Sequence, residues 1–181
     1  ASNAGAEVVK LAEILSLPVA TSLNGKGVIP EDHPLSIGVV GSYSRRCANQ
    51  IVSEADLVLF VGSHTGGQVT NYWKIPETDT ATIQINIDPS EIGRSYPVKV
   101  PLLGDAKVVL SLLIEDLGEK VVERPEWIDR VHRLVSAWRK KATPTLKSNA
   151  EPIRPERLCQ EISQFLPENA ILVSDTGHAG I

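Results

Sequence analysis

Two hydrophobic patterns alternate along the chain. Apolar runs predict β-strands, the strongest of them buried on both faces, at residues 18–22, 56–61, 81–88 and 98–103. Apolar spacings of three and four predict helices at residues 4–16, 44–54 and 105–117 and a long one around Trp127 to Trp138. Ser2 or Asn3, and Ser42 or Ser44, are the expected N-caps of the first two helices. The Pro- and Gly-rich residues 28–41 predict a loop.

Strands that alternate with helices indicate an α/β domain, with a parallel sheet and helices on both faces. The polar residues 142–151, with Pro144 inside them, predict a linker. A helix over 155–166 and a strand from Ala170 to Ser174 follow it. We therefore expect a first domain at 1–142, a linker at 143–154 and the first helix and strand of a second α/β domain at 155–181.

Composition and charge exclude several classes of protein. Eighteen Lys and Arg against 22 Asp and Glu leave a net charge of -4, which argues against a nucleic-acid partner. No apolar run approaches the roughly 18 residues that a membrane span needs. The two cysteines, Cys47 and Cys159, form no CxxC pair and fit a reducing, cytoplasmic environment. The chain has no methionine and ends in a glycine-punctuated turn, so we expect a piece of a longer protein.

Ligands of parallel sheets bind beyond the carboxyl ends of the strands, which selects four turns. Those turns are residues 22–27, 62–70, 88–93 and 175–180. The glycines at 62, 66 and 67 suit either a phosphate cradle or a tight turn, and no GxGxxG or P-loop pattern decides between them. Asp88 suits a ribose hydroxyl, but an N-cap role is the favoured interpretation.

Other catalytic patterns are not matched. The four histidines form no HExxH arrangement, and no GxSxG elbow is present. Asp175-Thr176-Gly177 occurs once and in an α/β context, which excludes the paired carboxylates of an aspartic protease within one chain. The glycine-containing turn at its end suits an anion better.

Several stretches, taken in order, resemble one enzyme family. They are Leu17 to Gly27, Pro30 to Leu35, Gly38 to Gly41, Ala55 to Gly62, Ile85 to Arg94 and Gly104-Asp105-Ala106. Together they resemble the thiamine diphosphate-dependent enzymes of the acetolactate synthase and 2-oxo-acid decarboxylase group. The resemblance identifies a Rossmann-like central domain, followed from about residue 155 by the opening of the diphosphate-binding domain.

That resemblance implies an enzyme that uses thiamine diphosphate and Mg²⁺ on a 2-oxo acid, by carboligation or decarboxylation. It places Gly177, His178 and Ala179 at the cofactor and implies a homodimer or homotetramer. The family's activating glutamate and its metal ligands belong to domains that these residues do not include. We therefore expect the 181-residue chain alone to be inactive.

Some members of the family hold FAD or ADP in the central domain. In the FAD-binding members, the turn that matches residues 62–69 carries arginines, where this chain has His64 and Gln68, and Asn86 replaces a frequent aspartate. FAD is therefore not expected, and any nucleotide is expected near Gly62, His64, Asp88 and Asp105. The alternatives to an enzyme are a non-catalytic nucleotide-binding module and a purely structural domain.

The family's central domain also has a strand before its first helix, in the middle of the sheet. We expect Ala170 to Ser174 to occupy that place, within the chain or by exchange with a second copy. The alternative is that the strand lies outside this sequence.

Overall fold

Five strands form two parallel sheets in the computed structural model, which describes residues 2–167 and 169–173. The chain divides into two compact units, Ala1–Val135 and Ser136–Ile181. The strands are β1 (Val19–Thr21), β2 (Ser36–Val39), β3 (Leu57–Val61), β4 (Ala81–Asn86) and β5 (Val100–Leu103). The helices are α1 (Gly5–Leu15), α2 (Arg46–Ser53), α3 (Ala106–Leu117), α4 (Pro125–Leu146) and α5 (Pro155–Phe165), and a 3-10 turn spans Pro89–Glu91.

All pairings of these strands are parallel. β1 pairs with β2, and β3, β4 and β5 lie side by side in chain order. The β3–β4 register runs from Leu57 opposite Ala81 to Val61 opposite Ile85. Parallel strands with helices between them confirm the predicted α/β class.

Helix α1 packs against both sheets. Its Leu11 joins Ile85 of β4 and Leu110 of α3 in one buried cluster. The next residue, Ala12, belongs to a second cluster with Ile29 and Leu35, just before β2. Leu11 and Ala12, neighbours on α1, therefore pack toward different sheets. Among the described residues, no strand of one sheet pairs with a strand of the other.

Strand β2 corrects the loop predicted at residues 28–41. All four of its residues are buried, and Val19 of β1 donates its N–H to the Leu35 carbonyl at 2.8 Å. Gly38 within the strand has a φ of +89°, and such a glycine ordinarily signals a turn. Pairing with β1 and burial of Ile37 outweigh that local signal.

The expected N-caps of the first two helices are also wrong. Ala4 and Arg45 occupy the N-cap positions of α1 and α2, and neither makes a side-chain capping bond. The backbone enters both helices without a Ser, Thr, Asp or Asn at that place, so their stability comes from packing.

Helix α4 continues through Pro144 to Leu146, into the segment predicted as linker. Pro144 lies two residues from the helix end and lacks the N–H that would donate to the Lys140 carbonyl, so the helix continues past it with that one bond lost. The domain boundaries at 142 and 154 stay a prediction. No helix in the described part of the chain is long and apolar enough to cross a membrane.

The strand predicted from Ala170 is not formed by the residues that the structure describes. Residues 170–173 belong to no strand, and Ile171 and Val173 are 89% and 88% exposed. Without a neighbouring strand, their apolar, β-branched composition is not enough to produce one. Insertion of this segment into the sheet of its own chain is therefore wrong for residues 170–173, and exchange with a second copy stays a prediction. Ser174 lies outside the described residues.

Candidate functional site

Four predicted site residues lie at one edge of the three-stranded sheet, beyond the carboxyl ends of β3, β4 and β5: Gly62, His64, Asp88 and Asp105. Backbone bonds join the turns that carry them. Gly62 donates its N–H to the Ile85 carbonyl at 2.8 Å, and Gly104 donates to the Asn86 carbonyl at 2.9 Å. The other predicted cofactor residues, Gly177, His178 and Ala179, lie outside the described residues.

A buried polar face of β4 holds this edge together. Its three side chains are 0%, 2% and 4% exposed and belong to Thr82, Gln84 and Asn86. Gln84 donates its amide N–H to the Glu91 carbonyl at 2.9 Å and accepts from the Gly93 N–H at 3.0 Å. Asn86 donates to the Ser63 carbonyl at 3.3 Å. These two amides thereby fix the turn after β3 and the turn after β4 to one strand.

A buried carboxylate at the same edge lies beside both His64 and Arg94. The Glu91 side chain is 8% exposed, with Oε2 3.1 Å from Nδ1 of His64 and Oε1 2.6 Å from Nη1 of Arg94. Arg94 also donates to the backbone carbonyl of His64 at 3.2 Å. The Arg94 guanidinium is thus paired with Glu91, and the His64 ring lies beside the same carboxylate, which leaves less positive charge for a bound phosphate.

Asp88 acts as the N-cap that the sequence favoured. Its Oδ1 accepts from the Ser90 N–H at 2.9 Å and from the Ser90 hydroxyl at 2.7 Å. These bonds, with smaller help from the positive charges of His64 and Arg94, hold the pKa of Asp88 below its usual value.

Asp105 plays the same part at the start of α3, where its Oδ1 accepts from the N–H groups of Lys107 and Val108. One carboxylate oxygen of each aspartate therefore accepts hydrogen bonds at the start of a 3-10 turn or a helix. Ligand roles for the two aspartates remain predictions.

The segment between β3 and β4, residues 62–80, is called the β3–β4 loop below. Its middle is tied to the end of β2, because Ser42 donates its N–H to the Gln68 carbonyl at 2.8 Å. Farther along, the Tyr96 hydroxyl lies 3.3 Å from the carbonyls of Ile75 and Pro76. Burial raises the pKa of Tyr96 above its ordinary value.

Sequence reasoning missed Gln84, Glu91 and Arg94. A signal for Gln84 was present, because polar residues at 82, 84 and 86 alternate with isoleucines at 83, 85 and 87. The alternation predicts a strand with one polar face. It does not reveal that this polar face is buried under turns from the same sheet.

Residues 2–167 and 169–173 contain no cluster of three acidic, histidine or cysteine side chains arranged to hold a metal ion.

The first unit is thus a parallel α/β domain with glycine-containing turns beyond the carboxyl ends of its strands. Ligands of such sheets bind at this place. Residues 1–113 match the family described as "Thiamine pyrophosphate enzyme, central domain", and the chain belongs to this family. The resemblance noted from its motifs is thereby confirmed.

The chain is also similar to acetolactate synthase large subunits. It is 34% identical to a probable one of Methanocaldococcus jannaschii, with 97% of this chain and 30% of that protein covered. A probable one of Methanococcus aeolicus is 33% identical, with 97% and 31% covered. The large subunit of Cyanidium caldarium is 29% identical, with 97% and 30% covered. The chain therefore spans about a third of the length of these relatives.

Proposed function

We propose that this chain belongs to a larger thiamine diphosphate-dependent enzyme that acts on 2-oxo acids. One observation carries the proposal: the similarity to acetolactate synthase large subunits extends over 97% of the chain, well past the matched central domain. Residues 1–142 then supply the central domain, 143–154 a linker and 155–181 the start of the cofactor-binding domain.

The reaction we propose is acetolactate-synthase-like carboligation or decarboxylation of a 2-oxo acid, with Mg²⁺ accompanying the cofactor. Thiamine diphosphate, when bound, supplies the carbanion chemistry, and the protein supplies orientation and electrostatics. We assign Gly177, His178 and Ala179 to contact near the diphosphate, since glycine allows close backbone approach and a helix start offers free N–H groups.

The described residues serve this enzyme as a rigid support. The amides of Gln84 and Asn86 fix the turns at the carboxyl edge, and Glu91 engages both His64 and Arg94. This arrangement favours a structural role over a diphosphate site, and it supports the expectation that FAD is not a cofactor here. We propose that the full-length protein assembles as a homodimer or homotetramer.

Product analysis tests the proposal. The purified full-length protein is incubated with thiamine diphosphate, Mg²⁺ and a panel of 2-oxo acids that includes pyruvate, with a matched reaction that lacks the cofactor. We expect consumption of at least one 2-oxo acid, with acetolactate marking carboligation and an aldehyde marking decarboxylation. Consumption of none of the panel by folded protein contradicts the proposal.

A further inference from the structure

An asparagine followed by a glycine lies in the turn after β1. Asn24 is the only asparagine of the sequence that a glycine follows, and it is exposed to solvent. Asparagine is one of the chemically labile residues of proteins, because the backbone nitrogen of the next residue can attack its carboxamide. Gly25 has no Cβ to shield that nitrogen. Both partners of an intramolecular reaction therefore lie together at the surface.

The geometry of the turn favours glycine at this place and also holds its nitrogen. A Cβ added to Gly25 would lie 3.2 Å from the hydroxyl oxygen of Ser22, closer than an ordinary van der Waals contact. The Gly25 N–H donates to that hydroxyl oxygen at 3.0 Å and to the Ser22 carbonyl at 3.2 Å. The next bond of the turn, from the Lys26 N–H to the Leu23 carbonyl, is 3.3 Å long. Ser22 is thus the hydrogen-bond partner of the attacking nitrogen.

We propose that Asn24 is a site of deamidation through a cyclic imide, and that the hydroxyl of Ser22 restrains the reaction. The Gly25 nitrogen gives its proton to solvent and attacks Cγ of Asn24, so that a new C–N bond forms. The C–N bond of the carboxamide breaks, and ammonia leaves. Water then opens the imide, at Cγ to give aspartate or at the main-chain carbonyl to give isoaspartate.

The restraint follows from the proton that the nitrogen must lose. That proton is shared with Ser22 in the folded turn, so its loss also breaks a hydrogen bond. Either product adds a negative charge, and isoaspartate routes the backbone through the side chain. The turn is one of the four that the topology of the sheet selects for ligands, so the conversion changes the charge of a candidate ligand turn. The proposal does not depend on the thiamine diphosphate assignment.

Asn149 offers a matched comparison within the same chain. It is exposed to solvent, and the N–H that follows it, that of Ala150, donates to the Ser148 hydroxyl oxygen at 3.3 Å. The two asparagines thus share exposure and a serine partner for the next nitrogen. They differ in the Cβ of Ala150, which shields the nitrogen from the carboxamide. We therefore expect Asn149 to convert more slowly than Asn24.

Peptide mapping by mass spectrometry measures the conversion. The purified full-length protein is incubated at mildly alkaline pH and physiological temperature, and aspartate and isoaspartate at residues 24 and 149 are quantified over time. We expect both products to accumulate at Asn24 and to exceed those at Asn149. Asn24→Gln should form neither product at residue 24 over the same period. Folded protein in which Asn24 converts no faster than Asn149 overturns the proposal.

Substitutions of Ser22 test the restraint. Ser22→Ala should raise the rate of conversion at Asn24 roughly fivefold, the factor that one hydrogen bond of ordinary strength is worth, and should leave the rate at Asn149 unchanged. Ser22→Thr keeps a hydroxyl and should keep the original rate. Ser22→Cys, whose thiol is a weak acceptor, should also convert faster and keeps the test decisive if Ser22→Ala does not fold.

Unfolding separates the folded contact from an effect of local sequence. In urea the Ser22→Ala protein and the original protein should convert at equal rates at Asn24, because the turn is lost in both. A difference that persists in urea, or equal rates for the two folded proteins, refutes the restraint by the Ser22 hydroxyl.

Discussion

Among the described glycines, Gly41 has the least room for a side chain. It has a φ of +105°, and an added Cβ would lie well inside contact distance of the Gln68 carbonyl oxygen and 2.8 Å from that of Val69. Its N–H donates to Asn49 Oδ1 at 2.8 Å, and its carbonyl accepts from Asn49 Nδ2 at 2.9 Å. A Gly41→Ala substitution must therefore displace the β3–β4 loop or the end of β2.

Gly27 is the matched control, because its φ is +91° but an added Cβ would meet nothing within 4 Å. Gly27→Ala should cost only the backbone strain, about 1–2 kcal/mol of unfolding free energy. Gly41→Ala adds the loss of about two hydrogen bonds, each worth about 1 kcal/mol, so its total is about 3–4 kcal/mol.

Thermal and urea unfolding followed by circular dichroism measure both variants. At roughly 2–4 °C per kcal/mol for a chain of this size, Gly41→Ala should lower Tm by about 6–16 °C, and Gly27→Ala by about 2–8 °C. Equal losses of Tm and unfolding free energy for the two variants would show that a side chain at Gly41 meets no steric obstacle from the β3–β4 loop. That result would refute the prediction.

Four further predictions concern the core amide, pH and activity. Gln84→Leu leaves the Glu91 carbonyl and the Gly93 N–H unpaired, so it should lower the free energy of unfolding in urea by about 2–4 kcal/mol. The control, Gln68→Leu at an exposed side chain, should change it by no more than about 0.5 kcal/mol. Similar losses of unfolding free energy for the two variants would contradict this prediction. Arg130 holds the pKa of Glu54 below its ordinary 4.5, so the stabilisation is complete above that pH and disappears as pH falls through the lowered pKa. Glu54→Gln should therefore cost under about 1 kcal/mol at pH 7 and progressively less toward acid pH, and a cost that grows on acidification argues against the pair. The purified 181-residue chain should show no flavin absorbance, and a stoichiometric yellow cofactor would show the expectation about FAD to be mistaken. The same chain should not turn over pyruvate with thiamine diphosphate and Mg²⁺, and turnover above a no-protein control would disprove this.

Much of the fold was predictable because the strong elements carry their own local signals. The unbroken apolar run before Gly62 and the helical spacing around Leu110 correspond to β3 and α3. Strand β2 was missed because Pro34 and Gly38 are turn residues, and only its pairing with β1 makes the segment a strand. Residues 170–173 show the converse, since apolar composition without a neighbouring strand does not produce one.

The sequence predicts the location of the candidate site only where the topology of the sheet determines it. The rule that ligands lie beyond the carboxyl ends of parallel strands selected the turns that carry Gly62, His64 and Asp88, and the structure places these turns at one edge of the sheet. A binding role for these residues stays a prediction. The rule did not predict that buried Glu91 engages His64, because that contact depends on how the turn after β4 folds back onto β3. Long-range contacts of this kind leave no periodic trace in sequence.

Cofactor dependence of the full-length protein tests the central functional claim most directly. The protein is freed of bound cofactor by dialysis against a chelator, and release of CO₂ from 2-oxo acids, pyruvate among them, is followed as thiamine diphosphate is added back with Mg²⁺. We predict CO₂ release that is absent without thiamine diphosphate and saturates as it is restored. Folded full-length protein that releases no CO₂ from any of the 2-oxo acids, or does so equally without thiamine diphosphate, would contradict the claim.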